Sequence, residues 1–236
     1  MKGGIAAWLL DIVFPKNCLQ CGKEGSYYCD ACASITPLPY ALGCFGCRAR
    51  NKGELCLNCQ PRYAFDGVII AVDYETEIVA ALLRTFKYRF VGEIGEYAAA
   101  FLIRRLEAYL RMSSAADFFS SHFFEAVVIP MPLSRRRLRW RSFNQSEIIA
   151  RRVAGYFGLE VQSAPLERRH RSSQADLNEE QRLNNLQGAF SIRGNSPTRV
   201  LLVDDVITTG TTASECAKAL KAAGAEEVWV LAVAKG

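Results

Sequence analysis

Apolar positions at the start of the chain recur at helical spacing. Ile5, Trp8, Leu9 and Ile12 fall on one face of an amphipathic helix that Pro15 ends. No such period runs through the next 45 or so residues, where glycine and proline crowd the chain. From Tyr63 the pattern becomes regular. FDGVIIAVDY (65–74) reads as a strand rich in β-branched residues, and Val79, Leu82, Leu83 and Phe86 mark a helix ending near FKYRF (86–90). A longer helical stretch covers roughly Glu93 to Arg111 and stops at the polar SSAAD. EAVVIPMP (125–132) is a buried strand running into a proline-punctuated turn. Asn144, with Glu147 three residues on, signals a helix start of capping-box type. RVLLVDD (199–205) is another buried strand. Thr212 to Ala223 follows as a helix with Ala213, Cys216, Ala217 and Leu220 on one face and Gly224 at its end. EVWVLAVAK (227–235) closes the chain as a strand. Strands alternating with helices of these lengths predict an α/β fold with a mostly parallel sheet flanked by helices.

Composition sharpens this picture at one place. In 236 residues, 50% hydrophobic, 11% aromatic and 22% charged side chains exclude a disordered chain, and a net charge of +5 says little about partners. The nine cysteines say more. Eight form four Cys-x-x-Cys pairs: Cys18 and Cys21, Cys29 and Cys32, Cys44 and Cys47, Cys56 and Cys59. Each such turn aims two thiolates at one centre, so eight cysteines suit two closed structural zinc sites. The segment has few large apolar side chains, so its folding is expected to be one event with metal binding. Disulfides are disfavoured without an export signal, since Asp11 interrupts the first apolar stretch and no small-residue cleavage site follows. An iron–sulfur cluster fits evenly paired knuckles less well than zinc, and a redox pair lacks its βαβ context. Sequential pairing of the four turns gives two ribbons and alternate pairing a cross-braced module; loop length leans to the first. The expected organisation is an N-terminal helix (1–17), a double zinc-ribbon-like domain (18–62) and an α/β domain (63–236). No later apolar run reaches the ~18 residues of a membrane span. The expectation is a cytoplasmic protein with no membrane span.

The chemistry concentrates in RVLLVDDVITTGTT (199–212). The strand delivers Asp204 and Asp205 to the carboxyl edge of the sheet, where open α/β sheets bind ligands. Thr208, Thr209, Gly210, Thr211 and Thr212 then lead into a helix N-terminus. Glycine lets the backbone curl, the hydroxyls donate hydrogen bonds, and the helix end offers free N–H groups, which together suit a phosphate monoester. Carboxylates repel phosphate but accept hydrogen bonds from a vicinal diol. A phosphate beside a diol describes a ribose 5-phosphate. The competing plain reading is a capped turn beside solvated acids. A nucleotide-hydrolase acid motif would need a G-x-x-x-x-G-K-[ST] loop, and the chain has none. Cys216 lies on an apolar helix stripe and reads as a core thiol.

This loop resembles the 5-phosphoribosyl-1-pyrophosphate (PRPP) signature of type I phosphoribosyltransferases, and the chain resembles the ComF family of bacterial competence proteins almost end to end. The residues that carry the resemblance are the cysteine pairs, FKYRF, VIPMPLSRRRLRWRSFNQS (128–146), the stretch from Gln174 to Phe190, and the PRPP loop. The resemblance implies a zinc module joined to a type I phosphoribosyltransferase-like domain. Asp204 and Asp205 would be the catalytic pair holding the ribose hydroxyls, and Thr208 to Thr212 would hold the 5-phosphate. Met131, Pro132, Leu133, Ser134 and Arg135 match the pyrophosphate loop, with Mg2+ bridging pyrophosphate and ribose oxygens. Catalysis in such enzymes is largely positioning and charge stabilisation, and no residue stands out as a general base.

Arg135, Arg136, Arg137, Arg139 and Arg141 fill five of seven positions, with Trp140 among them. Arginine forks suit phosphates, and an aromatic ring can stack on an unpaired base. The first arginines would serve pyrophosphate, and Arg136, Arg137, Arg139, Trp140 and Arg141 would form a track for single-stranded DNA. The competing plain reading is a solvated basic loop. The polar stretch 167–190 would sit near the hood where the second substrate is chosen. Gln174, Arg182 and Asn185 there match ComF-like positions, and His170 is more simply a surface histidine than an acid–base group. Two functions follow. One is PRPP binding joined to uptake or handling of single-stranded DNA in natural competence, with competence or recombination proteins as partners. The other is an active phosphoribosyltransferase of nucleotide salvage or metabolite modification without a DNA role. The acceptor cannot be read from the sequence.

Overall fold

The computed structural model describes residues 16–37, 42–88, 92–112, 123–163, 166–168 and 188–236. The body of the expected N-terminal helix, His122, and His170, Gln174, Arg182 and Asn185 lie outside them. Four strands form one sheet: β1 (Gly67–Asp73), β2 (Val127–Pro130), β5 (Arg199–Ile207) and β6 (Glu227–Lys235), in the order β1-β6-β5-β2. Every neighbouring pair is parallel. β6 is buried along almost its whole length, as a central parallel strand covered on both faces must be. The short β3 (Leu166–Arg168) and β4 (Phe190–Ile192) pair antiparallel at the two ends of the polar stretch, a pairing that its composition does not announce.

The helices are α1 (Asp30–Ile35), α2 (Glu77–Tyr88), α3 (Ile94–Met112), α4 (Arg135–Arg141), α5 (Gln145–Phe157) and α6 (Thr211–Ala222). Successive strand residues face opposite ways and so feed two cores. On β5, Leu201 and Val203 join the core under α2, α3 and α5, while Val200 and Leu202 join the core under α6. The cysteine segment takes part in both. Cys18, Tyr28 and Cys32 are buried in the first core, where the Tyr28 ring lies 5.5 Å from Phe101 of α3. Cys44, Phe45, Leu55 and Cys59 are buried in the second. The arginine block, whose plain reading on the sequence is a solvated basic loop, is helical. Ser134 caps it by accepting a hydrogen bond from the Arg137 N–H at 3.3 Å. Among the described residues no helix is long and apolar enough to cross a membrane.

Candidate functional site

The carboxyl ends of β2 and β5 lie side by side. Pro130 is paired with Val203, and the Met131 N–H continues the ladder to the Val203 carbonyl at 2.8 Å. The sheet therefore brings Asp204, Asp205 and the 131–135 turn to one edge. Asp205 is buried, and its Oδ2 lies 3.0 Å from the Lys87 ammonium at the end of α2. Asp204 Oδ1 accepts hydrogen bonds from the Ser146 hydroxyl at 3.0 Å and from the Asp205 N–H at 2.9 Å. Burial, and then the neighbouring Asp205 charge, pushes the Asp204 carboxyl up to about 7. Those two hydrogen bonds and the Lys87 charge act in the opposite sense. The arrangement concentrates negative charge on acceptor oxygens at the sheet edge, which suits hydroxyl donors or a cation.

Beyond β5, Thr208 and Thr209 are exposed and Gly210 is buried with φ +76°, a left-handed conformation that glycine adopts without strain. The Thr209 and Thr211 hydroxyls lie 2.9 Å apart, and the Ser214 N–H donates to the Gly210 carbonyl at 2.8 Å as α6 begins. The first turn of α6, whose Thr211 N–H donates to the Thr209 hydroxyl at 3.4 Å, thus lies beside a cluster of threonine hydroxyls, an anion-suited assembly.

Each residue of the run Phe143-Asn144-Gln145-Ser146 makes a defined contact. Phe143 packs on Phe86 with ring centroids 5.6 Å apart. The Asn144 side chain donates to the Met131 carbonyl at 3.0 Å and accepts from the Ser146 N–H at 3.2 Å, so one residue caps α5 and ties down the 131–135 turn. Gln145 accepts from Arg141 at 3.0 Å, and Ser146 reaches Asp204. The expected capping-box partner, Glu147, instead pairs with Arg151 at 2.7 Å. Sequence reasoning assigned no role in the site to Lys87, Asn144 or Ser146. The available signal for Lys87 was a lone lysine among the apolar residues that end α2.

On α4 the residues Arg135 to Trp140 are all exposed, while Arg141 is only 8% exposed. Its guanidinium lies 5.9 Å from the Tyr88 ring centroid and 5.8 Å from that of Trp140. Burial lowers its pKa, and the Asp205 charge opposes that. The basic face presented to solvent is therefore Arg135, Arg136, Arg137 and Arg139, beside the exposed rings of Tyr88 and Trp140. Cys216 is fully buried, and burial pushes its thiol well above the ordinary range, as befits a core residue.

The structure gathers Cys18, Cys21, Cys29 and Cys32 into one group and Cys44, Cys47, Cys56 and Cys59 into another, with the sulfurs of each within 4.8 Å of one another. This is the sequential pairing. Zn–S bonds of ~2.3 Å in a tetrahedron put sulfurs about 3.8 Å apart; Cys21–Cys29, Cys44–Cys56 and Cys47–Cys56 are each 3.6 Å apart, and all eight are free thiols. The donor set fits zinc. Burial raises the Cys44 thiol, but backbone N–H groups of Cys56, Cys47 and Gly46 outweigh it and bring it down to about 6. Burial and the surrounding thiols push Cys59 up to about 12.

No family model matches the chain. Among solved structures, a hypoxanthine-guanine phosphoribosyltransferase of Leishmania donovani is similar with a TM-score of 0.35 and 15% identity, over 60% of this chain and 71% of that one. Among curated proteins, Competence protein F of Haemophilus influenzae is 28% identical over 234 residues, covering 94% of this chain and 98% of that protein. Competence protein ComFC of Streptococcus pneumoniae is 27% identical over 232 residues, covering 90% and 96%. DNA utilization protein YhgH of Escherichia coli K12 is 33% identical over 108 residues, 44% of this chain and 48% of that protein. Along nearly its full length the chain is similar to these two competence proteins.

Proposed function

We propose that this protein binds PRPP at the carboxyl edge of β5 and acts in the uptake or handling of single-stranded DNA during natural competence. The observation that carries the ligand is the placement of the Asp204–Asp205 pair and the Thr208–Thr212 loop on one strand end, with the 131–135 turn beside them on β2. Asp204 and Asp205 accept the ribose hydroxyls, Thr208, Thr209, Gly210, Thr211 and Thr212 hold the 5-phosphate, and Met131, Pro132, Leu133, Ser134 and Arg135 face the pyrophosphate. Mg2+ would supply charge neutralisation between pyrophosphate and ribose oxygens. Lys87 holds Asp205 in place before ligand arrives. The eight paired cysteines hold two structural zinc ions. The competence role rests on the two relatives that align along nearly their whole length, and the DNA surface is the exposed basic face of α4 with Trp140.

Calorimetry tests the ligand. With Mg2+ present, the wild-type chain binds PRPP, and Asp204→Asn with Asp205→Asn weakens binding at least about tenfold, or ~1.4 kcal/mol. Unchanged affinity in the double variant refutes the ribose assignment. Release of pyrophosphate on adding a free nucleobase, with no effect of single-stranded DNA on it, would favour the nucleotide-salvage reading instead.

A further inference from the structure

The phosphate-suited loop is walled on one side by the second cysteine knuckle. Phe45 stands inside the Cys44-Phe45-Gly46-Cys47 turn, and its ring meets Gly210: a Cβ placed on Gly210 would lie 2.6 Å from Phe45 Cε1 and 3.3 Å from Tyr63 Cε1. The approach is so close that no larger residue fits at the point where the backbone turns left-handed. Phe45 is itself buried, held edge-on by Tyr63 at 5.3 Å and Phe65 at 5.7 Å, with the Lys235 ammonium 5.1 Å from its ring centroid. The knuckle is as tightly tied at its back. A Cβ on Gly46 would lie 2.7 Å from Cys59 Sγ and 3.3 Å from the Tyr63 ring. Tyr63 follows the 3-10 turn Gln60–Arg62 that leaves Cys59, and the next N–H, that of Ala64, donates to the Ser214 hydroxyl in the first turn of α6 at 3.0 Å. The knuckle therefore grips both sides of the loop: Gly210 through Phe45 and Tyr63, and α6 through Ala64.

We infer that Phe45 is a positioning residue for the phosphate loop and that the second four-cysteine centre and phosphoribosyl binding are energetically coupled through it. A metal in that centre holds the four sulfurs together, which fixes the Cys44–Cys47 turn and keeps the Phe45 ring against Gly210. Loss of the metal leaves four thiols with no ion to gather them, and the ring loses its support. Coupling is reciprocal, so a ligand in the loop must hold the metal more firmly in turn. The first centre is the internal control, because its buried cysteines pack with α3 in the core that includes neither Phe45 nor any residue of α6. The inference rests on the PRPP reading above for its ligand, but not for the brace itself.

The test uses the full chain and four variants. Phe45→Ala, which removes the ring and no zinc ligand, weakens PRPP binding by roughly tenfold, within the range of ordinary site-to-site coupling. Phe45→Leu, which restores apolar bulk, recovers part of that loss. Cys47→Ser lowers the zinc count by one and weakens PRPP in the same way, whereas Cys21→Ser lowers the zinc count by one and weakens PRPP markedly less. PRPP slows the transfer of one of the two zinc ions to a chelating dye, a readout that a purely architectural Phe45 would not move. Independently of any ligand, amide hydrogen exchange across 208–212 speeds up in Phe45→Ala. A folded Phe45→Ala protein with two zinc ions, unaltered loop exchange and wild-type PRPP affinity overturns the inference. If Cys47→Ser does not fold, Phe45→Ala decides alone. Faster loop exchange in Phe45→Ala together with a wild-type chain that fails to bind PRPP upholds the brace and overturns the phosphoribosyl reading.

Discussion

Asp204 concentrates the electrostatics of the site in one carboxyl group. Its folded value, about 7, stands above the ordinary 3.8, so the folded chain holds this proton more firmly than the unfolded chain does. The stability it contributes is complete below about pH 4 and is lost as pH rises through about 7. In ligand-free protein the melting temperature should therefore fall between pH 5 and pH 8, and Asp204→Asn should flatten that fall. A variant whose melting temperature tracks the wild type across this window would show that the carboxyl titrates normally. The two acids were legible because adjacent aspartates after an apolar strand have few other uses. Their partners were not. Ser146 lies 58 positions from Asp204 and Lys87 more than a hundred from Asp205, and only the meeting of β5, α2 and α5 makes them neighbours.

Between residue and molecule, α4 and α5 show how elements share the work. α5 is an ordinary amphipathic helix with an asparagine cap, so its start could be read from the sequence to the residue. α4 carries no apolar face, and no periodicity could reveal it. It exists because Ser134 caps one end and Arg141 is anchored at the other, while Arg135 to Trp140 face water. A seven-residue helix with one buried side chain draws little stability from packing, and its exposed guanidinium groups suit a role outside the fold. If they contact a single-stranded backbone, each phosphate neutralised adds ~0.7 to the slope of affinity against salt on logarithmic axes. Replacing Arg136, Arg137 and Arg139 by Gln should lower that slope by about 2 and leave PRPP affinity intact. An unchanged slope would remove α4 from the DNA surface. β3 and β4 went unread for a related reason: three residues are too short for alternation to show.

At the scale of the whole molecule, the cysteine segment packs on the body that it precedes. The sequence draws a boundary after residue 62, because composition changes there. In the structure, Cys18, Tyr28 and Cys32 share a core with Phe101 and Leu102 of α3, while Cys44, Phe45, Leu55 and Cys59 share one with Ala213, Cys216 and Leu220 of α6. The sheet is thus clasped from both faces by a segment whose own apolar content is small. Clasping of this kind would make a metal bound in the knuckles a stabiliser of the α/β body as well, since an ion that binds only the folded chain adds its binding free energy to the stability of whatever folds with it. Purified protein should carry about two zinc ions per chain. Stripping them with a strong chelator should lower the melting temperature of the helical circular-dichroism signal, which comes mostly from α2, α3, α5 and α6. Restoring one equivalent of zinc should recover part of the shift and a second equivalent the rest. If chelation removed both ions and that signal melted at its original temperature, the two cores would be independent of the knuckles, and the boundary after residue 62 would mark a separate folding unit.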